Sequence, residues 1–173
     1  MFYLDALLLM VMAICAVTDL KERKIYNIVI FPALVITFLM QAWLFGLDGL
    51  LDSLAGFGIG LSILIIPYFM GGMGAGDVKL LAVVGAIKGY GFVLAAAVYM
   101  ALIGGLLALG ILIFRKGSFD RIKFLFYSLI SRTHGLKMPN YTDGSAAQAT
   151  FPYGIAIVCG TLCSFFLKGL EFP

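Results

Sequence analysis

Apolar residues run through this 173-residue chain in stretches of membrane length, and nothing else in the sequence constrains its fold as strongly. An α-helix needs about 20 predominantly apolar residues to cross the hydrocarbon core of a bilayer. The runs are Phe2 to Thr18 (broken only by Asp5), Ile28 to Phe45, about Leu50 to Met70, Phe92 to Phe114 and Phe151 to Leu167. A further one, Val78 to Ile87, is apolar but short, and Lys88, Gly89, Tyr90 and Gly91 break it. Hydrophobic residues make up 62% of the chain and charged residues 12%, whereas a soluble domain is about half apolar and a quarter charged. The expectation is an all-α, polytopic membrane protein of about six transmembrane helices, folded as a single membrane-embedded domain over 1–173.

Local signals refine this pattern. Pro32 and Pro152 stand near the starts of their runs, where the first helical turn has no internal N–H partners to lose. Gly56 and Gly60 form a small-xxx-small pair that lets another helix approach closely. Between the last two long runs, Ser118 can cap a helix in which Phe119, Ile122, Phe126, Leu129 and Ile130 recur at helical spacing. Arg121, Lys123 and Arg132 fall elsewhere on its surface, as expected of a cytoplasmic amphipathic helix lying in the interface. Beyond Gly135 the composition turns polar and small, which reads as a loop.

The charges set an orientation. With the first loop placed in the cytoplasm, that side holds ten basic residues: Lys21, Arg23, Lys24, Lys79, Arg115, Lys116, Arg121, Lys123, Arg132 and Lys137. The other side holds only Lys88 and Lys168. Such a bias predicts a multi-pass plasma-membrane protein with both termini outside. Positive charges follow the first apolar run instead of preceding it, so that run reads as a retained helix and not as a cleaved signal. A net charge of +3 without a dense basic patch argues against a nucleic-acid partner. Cys15, Cys159 and Cys163 lie in apolar runs, no CxxC pair exists, and His134 is the one histidine, so neither metal nor cofactor is expected. The cysteines read as small residues that pack helices.

Most acidic residues fall where water or nearby bases solvate them: Asp5, Asp48, Asp52, Asp120, Asp143 and Glu171 in loops or near the ends, and Glu22 among basic neighbours. Asp19 and Asp77 differ. Asp19 closes the first apolar run and Asp77 opens the short one, so both fall at the cytoplasmic boundary in the orientation above. Two carboxylates at close range cannot both ionise easily and come to share one proton. The ionised member can then take a proton from water while the other donates to a scissile carbonyl, which hydrolyses a peptide bond by general acid–base catalysis. Gly71, Gly72, Gly74 and Gly76 precede Asp77; they let the chain leave helical geometry and let a substrate backbone come close. A turn with Asp77 as a plain helix cap is the structural alternative. Intramembrane carboxylates beside an interrupted helix also suit a small ion-coupled transporter, and an assembly scaffold subunit is a third possibility.

These residues resemble a known family. "TDLKERKIYN" (Thr18 to Asn27), followed some fifty residues later by "GMGAGDVKLL" (Gly72 to Leu81), resembles the type IV prepilin peptidases, membrane aspartyl proteases of the Gly-x-Gly-Asp class. "FPYG" (Phe151 to Gly154) resembles a family element at the start of the last helix. The resemblance implies that Asp19 and Asp77 are the catalytic pair and that Gly74 and Gly76 are the signature glycines. It matches Lys79 to a basic residue that stabilises negative charge or snorkels to the interface, and Asn27 to an asparagine that starts, and can cap, the second helix. The family usually has Pro where this chain has Tyr26, which bears on the local turn and not on the chemistry. Without a CxxC-bearing segment, the chain resembles the short, peptidase-only members associated with tight-adherence (Flp-type) pili, so methyltransferase activity is expected to be absent. The implied substrate is a prepilin or pseudopilin whose basic leader precedes a hydrophobic helix and is cut on the cytoplasmic side. Archaeal preflagellin peptidases are the nearest alternative. Presenilin-like proteases, whose partner aspartate follows Tyr and not Thr, fit less well.

Overall fold

A computed structural model of the chain describes residues 2–22, 24–70, 73–114 and 153–167, and over these it is all-helical. Five helices follow in order: α1 (Phe2–Glu22), α2 (Asn27–Phe69), α3 (Ala75–Lys88), α4 (Tyr90–Phe114) and α5 (Tyr153–Leu167). Backbone contacts divide the chain into two units, Met1–Ile103 with Thr150–Pro173, and Gly104–Ala149. The first unit holds α1, α2, α3, α5 and the start of α4; the described part of the second is the remainder of α4. The expected amphipathic helix beginning at Ser118 and the polar loop beyond Gly135 lie outside the described residues, as do Gly71, Gly72, Phe151 and Pro152.

Among the described residues, three helices are long and apolar enough to cross a membrane: α1, α2, and α4 over Tyr90–Leu107; α5 is a shorter apolar helix. The second and third apolar runs are joined within one element, α2, but that element is not one rod. Gly46 breaks it at φ 65°, ψ −147°. The Phe38 and Phe57 rings, which a straight helix would hold about 28 Å apart, are 6.0 Å apart. α2 therefore folds back on itself into two arms around Gly46, whose positive φ is a conformation that glycine alone adopts cheaply. Pro32 departs from expectation. α2 starts at Asn27, so Pro32 lies past the first turn, inside the helix, where its ring removes a ladder hydrogen bond.

The short run is α3, which begins slightly earlier than its apolar residues and stays short. Its 14 residues reach only about 21 Å, less than the roughly 30 Å hydrocarbon core. From Asp77 to Ile87 every residue except Lys79 is buried. Most of that cover comes from the two arms of α2, with α1 and α5 adding the rest.

Between apolar helices in lipid no hydrophobic force favours contact, so close van der Waals approach has to supply it. Gly56 and Gly85 face each other so closely that a Cβ on either would run into the carbonyl oxygen of the other. One turn on, a Cβ at Gly60 would stand 2.7 Å from the Leu81 carbonyl oxygen. The small-xxx-small pair read in the sequence thus meets α3. A Cβ at Gly160 of α5 would likewise lie 2.5 Å from the Met100 nitrogen of α4.

The C-terminus of α3 is buried and leaves carbonyls that need donors. Gly89 N–H donates to Gly85 O at 2.8 Å. Ser53 Oγ donates to Ala86 O at 2.6 Å from one arm of α2, and Gln41 Nε2 to Ile87 O at 3.1 Å from the other. At this end Lys88 pairs with Asp5 of α1 at 2.5 Å, and its ammonium lies 4.6 Å from the Phe165 ring centroid. Asp5 is thus ion-paired and not merely solvated. Asp52 abuts Gly89, since a Cβ there would stand 2.6 Å from Asp52 Oδ2. The start of α1 therefore meets the end of α3, and the two helices run antiparallel.

Gly56→Val should lower stability by about 1–3 kcal/mol, because neither backbone at the α2–α3 seam can yield. Gly58→Ala, where a Cβ meets nothing within 4 Å, should be neutral or slightly stabilising. Thermal unfolding in detergent micelles checks the pair.

Candidate active site

Because α1 and α3 are antiparallel, the end of one and the start of the other share the far end of the bundle. Asp19 sits one turn before the end of α1 and is 6% exposed; Asp77 lies in the first turn of α3 and is 8% exposed. The charge of Asp19 reaches Asp77. The structure thus places at one end of the bundle the two carboxylates that the sequence singled out.

The start of α3 is built around Asp77. Gly74 is the N-cap, extended at φ −80°, ψ 149°. Asp77 N–H donates to Gly74 O at 3.1 Å, and Gly74 N–H donates back to Asp77 Oδ2 at 3.2 Å. This is the carboxylate half of a capping box, with Asp77 at the third helical position and the Gly74 backbone carbonyl accepting where an N-cap side chain would. The alternative reading of Asp77 as the N-cap residue is therefore corrected: Gly74 is the N-cap, and Asp77 reaches back to it while remaining beside Asp19. At Gly74 the backbone is one that any residue can adopt, and a Cβ would make ordinary 3.4 Å contact with Asp77 Oδ2.

Gly76 has a different reason. A Cβ there would stand 2.8 Å from Ile25 Cβ. Ile25 lies in the short connection between α1 and α2, so the absent side chain seats the first turn of α3 on that connection. The space was expected to serve an approaching substrate; Ile25 of the chain itself fills it. Placed this way, Gly76 docks the start of α3 next to the end of α1, and with it Asp77 next to Asp19.

Lys79 Nζ donates to Asn27 Oδ1 at 2.9 Å and lies 5.9 Å from the Phe31 ring centroid, so the lysine spans from α3 to the first turn of α2. Asn27 does not cap its helix as expected. The N-cap is Tyr26, which makes no side-chain cap bond, and Asn27 is the first helical residue, its side chain engaged with Lys79. Tyr26 adopts φ −83°, ψ 130°, an extended backbone near the edge of what proline adopts. Its hydroxyl donates to the Glu22 carboxylate, and that bond holds the phenol above its usual pKa.

One residue at the site was not singled out from the sequence. Gly154, in the first turn of α5, lies directly against Asp19. "FPYG" pointed only to a helix start; a glycine in the first turn of an apolar helix, where better helix formers were available, was the usable signal. Cys15, one turn before Asp19, is buried in the core as the sequence suggested. Among the described residues, no three His, Cys, Asp or Glu side chains converge as metal ligands do.

Asp77→Asn keeps an oxygen that can accept from Gly74 N–H, whereas Asp77→Ala removes it. Thermal unfolding should therefore place Asp77→Asn near wild type and Asp77→Ala about 1 kcal/mol lower.

Residues 6–109, which carry Asp19, Asn27, Gly74, Gly76, Asp77 and Lys79, match the model of the type IV leader peptidase family. No curated protein and no solved structure matches the chain. The match covers more than half of the sequence, and the chain belongs to the type IV leader peptidase family: it is an aspartic-type peptidase of the prepilin-processing class, with several apolar helices suited to a membrane.

Proposed function

We propose that this member of the type IV leader peptidase family removes the leader of a Flp-like prepilin or pseudopilin at the cytoplasmic face, with Asp19 and Asp77 as the catalytic pair. The observation that carries this reading is the burial of two carboxylates from distant parts of the chain at adjoining ends of antiparallel helices, within reach of each other's charge. Like charges so placed favour a state in which the pair holds one proton. The ionised member takes a proton from the attacking water as the other donates to the carbonyl oxygen of the scissile bond. The two titrate together, so neither is assigned the acid role alone.

The remaining residues fit supporting roles. Gly74 leaves the backbone open beside Asp77, Gly76 seats α3 on Ile25, and Lys79 with Asn27 ties α3 to the start of α2. The side of cleavage rests on the ten-to-two bias of basic residues, which puts both aspartates at the cytoplasmic boundary. Six membrane segments follow if each arm of α2 crosses once and α3 and α5 complete the bundle; the fold-back at Gly46 supports that count.

Cleavage of a Flp-type prepilin by the reconstituted protein tests the assignment. Asp19→Asn and Asp77→Asn should each reduce cleavage by at least about a hundredfold while the protein stays folded. Lys79→Ala should cost only a few-fold. Undiminished cleavage in either aspartate variant would remove that residue from the catalytic pair.

A further inference from the structure

Gly154 stands closer to a carboxylate than Gly74, which makes only ordinary contact with Asp77. A Cβ on Gly154 would stand 2.5 Å from Asp19 Oδ2 and 2.8 Å from its Cγ, and its third neighbour, at 3.3 Å, is Asp19 Cβ. All three nearest atoms belong to one side chain. At Gly56, Gly60, Gly85 and Gly160, by contrast, the nearest obstacle is backbone, and Gly89, which faces the Asp52 carboxylate in the same way, is called for by its own φ of 84°. Gly154 is itself buried, and it lies outside residues 6–109. Its φ is not in the left-handed region, so backbone conformation does not call for glycine. What calls for it is the Asp19 carboxylate.

We propose that Gly154 is a positioning residue for Asp19: the missing side chain at the start of α5 is the slot that sets the rotamer of the carboxylate and so its placement relative to Asp77. This rests on the proposed catalytic role of the pair and adds a third element, α5, to the machinery that α1 and α3 carry. A methyl group in the slot forces Asp19 to turn, because a side chain on the last full turn of a helix has few staggered wells to choose from. Displacements of about 1 Å at a reacting group cost on the order of a hundredfold in rate.

The test has two readouts. Wild type and Asp77→Asn are assayed first on the Flp-type prepilin, so that a failure of the peptidase assignment is seen separately. Gly154→Ala should then lower kcat by about a hundredfold with KM within a few-fold, and displace the pH profile of the residual activity, because the shared proton is held differently. Wild-type kcat and pH profile in Gly154→Ala would overturn the proposal. The second readout needs no activity. Thermal unfolding is compared for Gly154→Ala, Asp19→Ala and the double variant. Loss of stability in Gly154→Ala that is relieved in the Asp19→Ala background, including rescue of a Gly154→Ala protein that does not fold, supports the slot. Equal losses in both backgrounds, or misfolding in both, would show a clash unrelated to the carboxylate and overturn it.

Discussion

A short helix enclosed by other helices along most of its length leaves unpaired backbone groups at its ends, and those at a buried end must be satisfied within the protein. α3 is that helix, and the rest of the described fold answers its requirement. At one end, Ser53, Gln41 and Gly89 supply three donors to three successive carbonyls. At the other, Asp77 returns a carboxylate oxygen to the Gly74 N–H. The folding back of α2 at Gly46 follows from the same need. Ser53 and Gln41 stand on opposite arms, and only a hairpin delivers both to adjacent carbonyls of one helix.

The same carboxylate therefore has two duties. Asp77 completes the start of α3 with one oxygen, and it stands beside Asp19 as one half of the proposed catalytic pair. A cap fixes the side chain in a known direction without another side chain to hold it, which suits a group whose orientation decides its chemistry. Close packing completes the arrangement. Gly76 settles the helix start onto Ile25, Gly154 lets α5 close over Asp19, and Gly56 with Gly85 lets the backbones of α2 and α3 touch. Each of these glycines is required by space, whereas Gly46 and Gly89 are required by their positive φ.

Much of this was legible in the sequence because it rests on patterns along the chain. The apolar runs gave the helices, the interruption around Gly46 separated two arms, and two carboxylates at run boundaries stood apart from acids that water could reach. What stayed hidden depends on who faces whom. Gln41 and Ser53 are ordinary polar residues in apolar runs until the carbonyls they meet are known. Asn27 has the chemistry of a cap and sits beside the capping position, yet a lysine 52 residues away takes its oxygen. Gly76 and Gly154 look alike in a string of letters; one makes room for an isoleucine and the other for a carboxylate. Pro32 misled because the helix starts at Asn27, ahead of the turn that the proline suggested.

The unequal fastening of α3 has a mechanical consequence. Its far end is clamped by donors from both arms of α2, by the ion pair to α1 and by the backbone contact at Gly85, whereas its near end is held by its own cap, by the seat of Gly76 on Ile25 and by the Lys79–Asn27 hydrogen bond at the protein surface. Asp77 lies about 12 Å along the axis from Gly85, so a tilt of about 5° about that fulcrum carries its carboxylate through about 1 Å. The placement of Asp77 relative to Asp19 is therefore sensitive to the angle at which α3 crosses α2 where Gly56 and Gly85 meet.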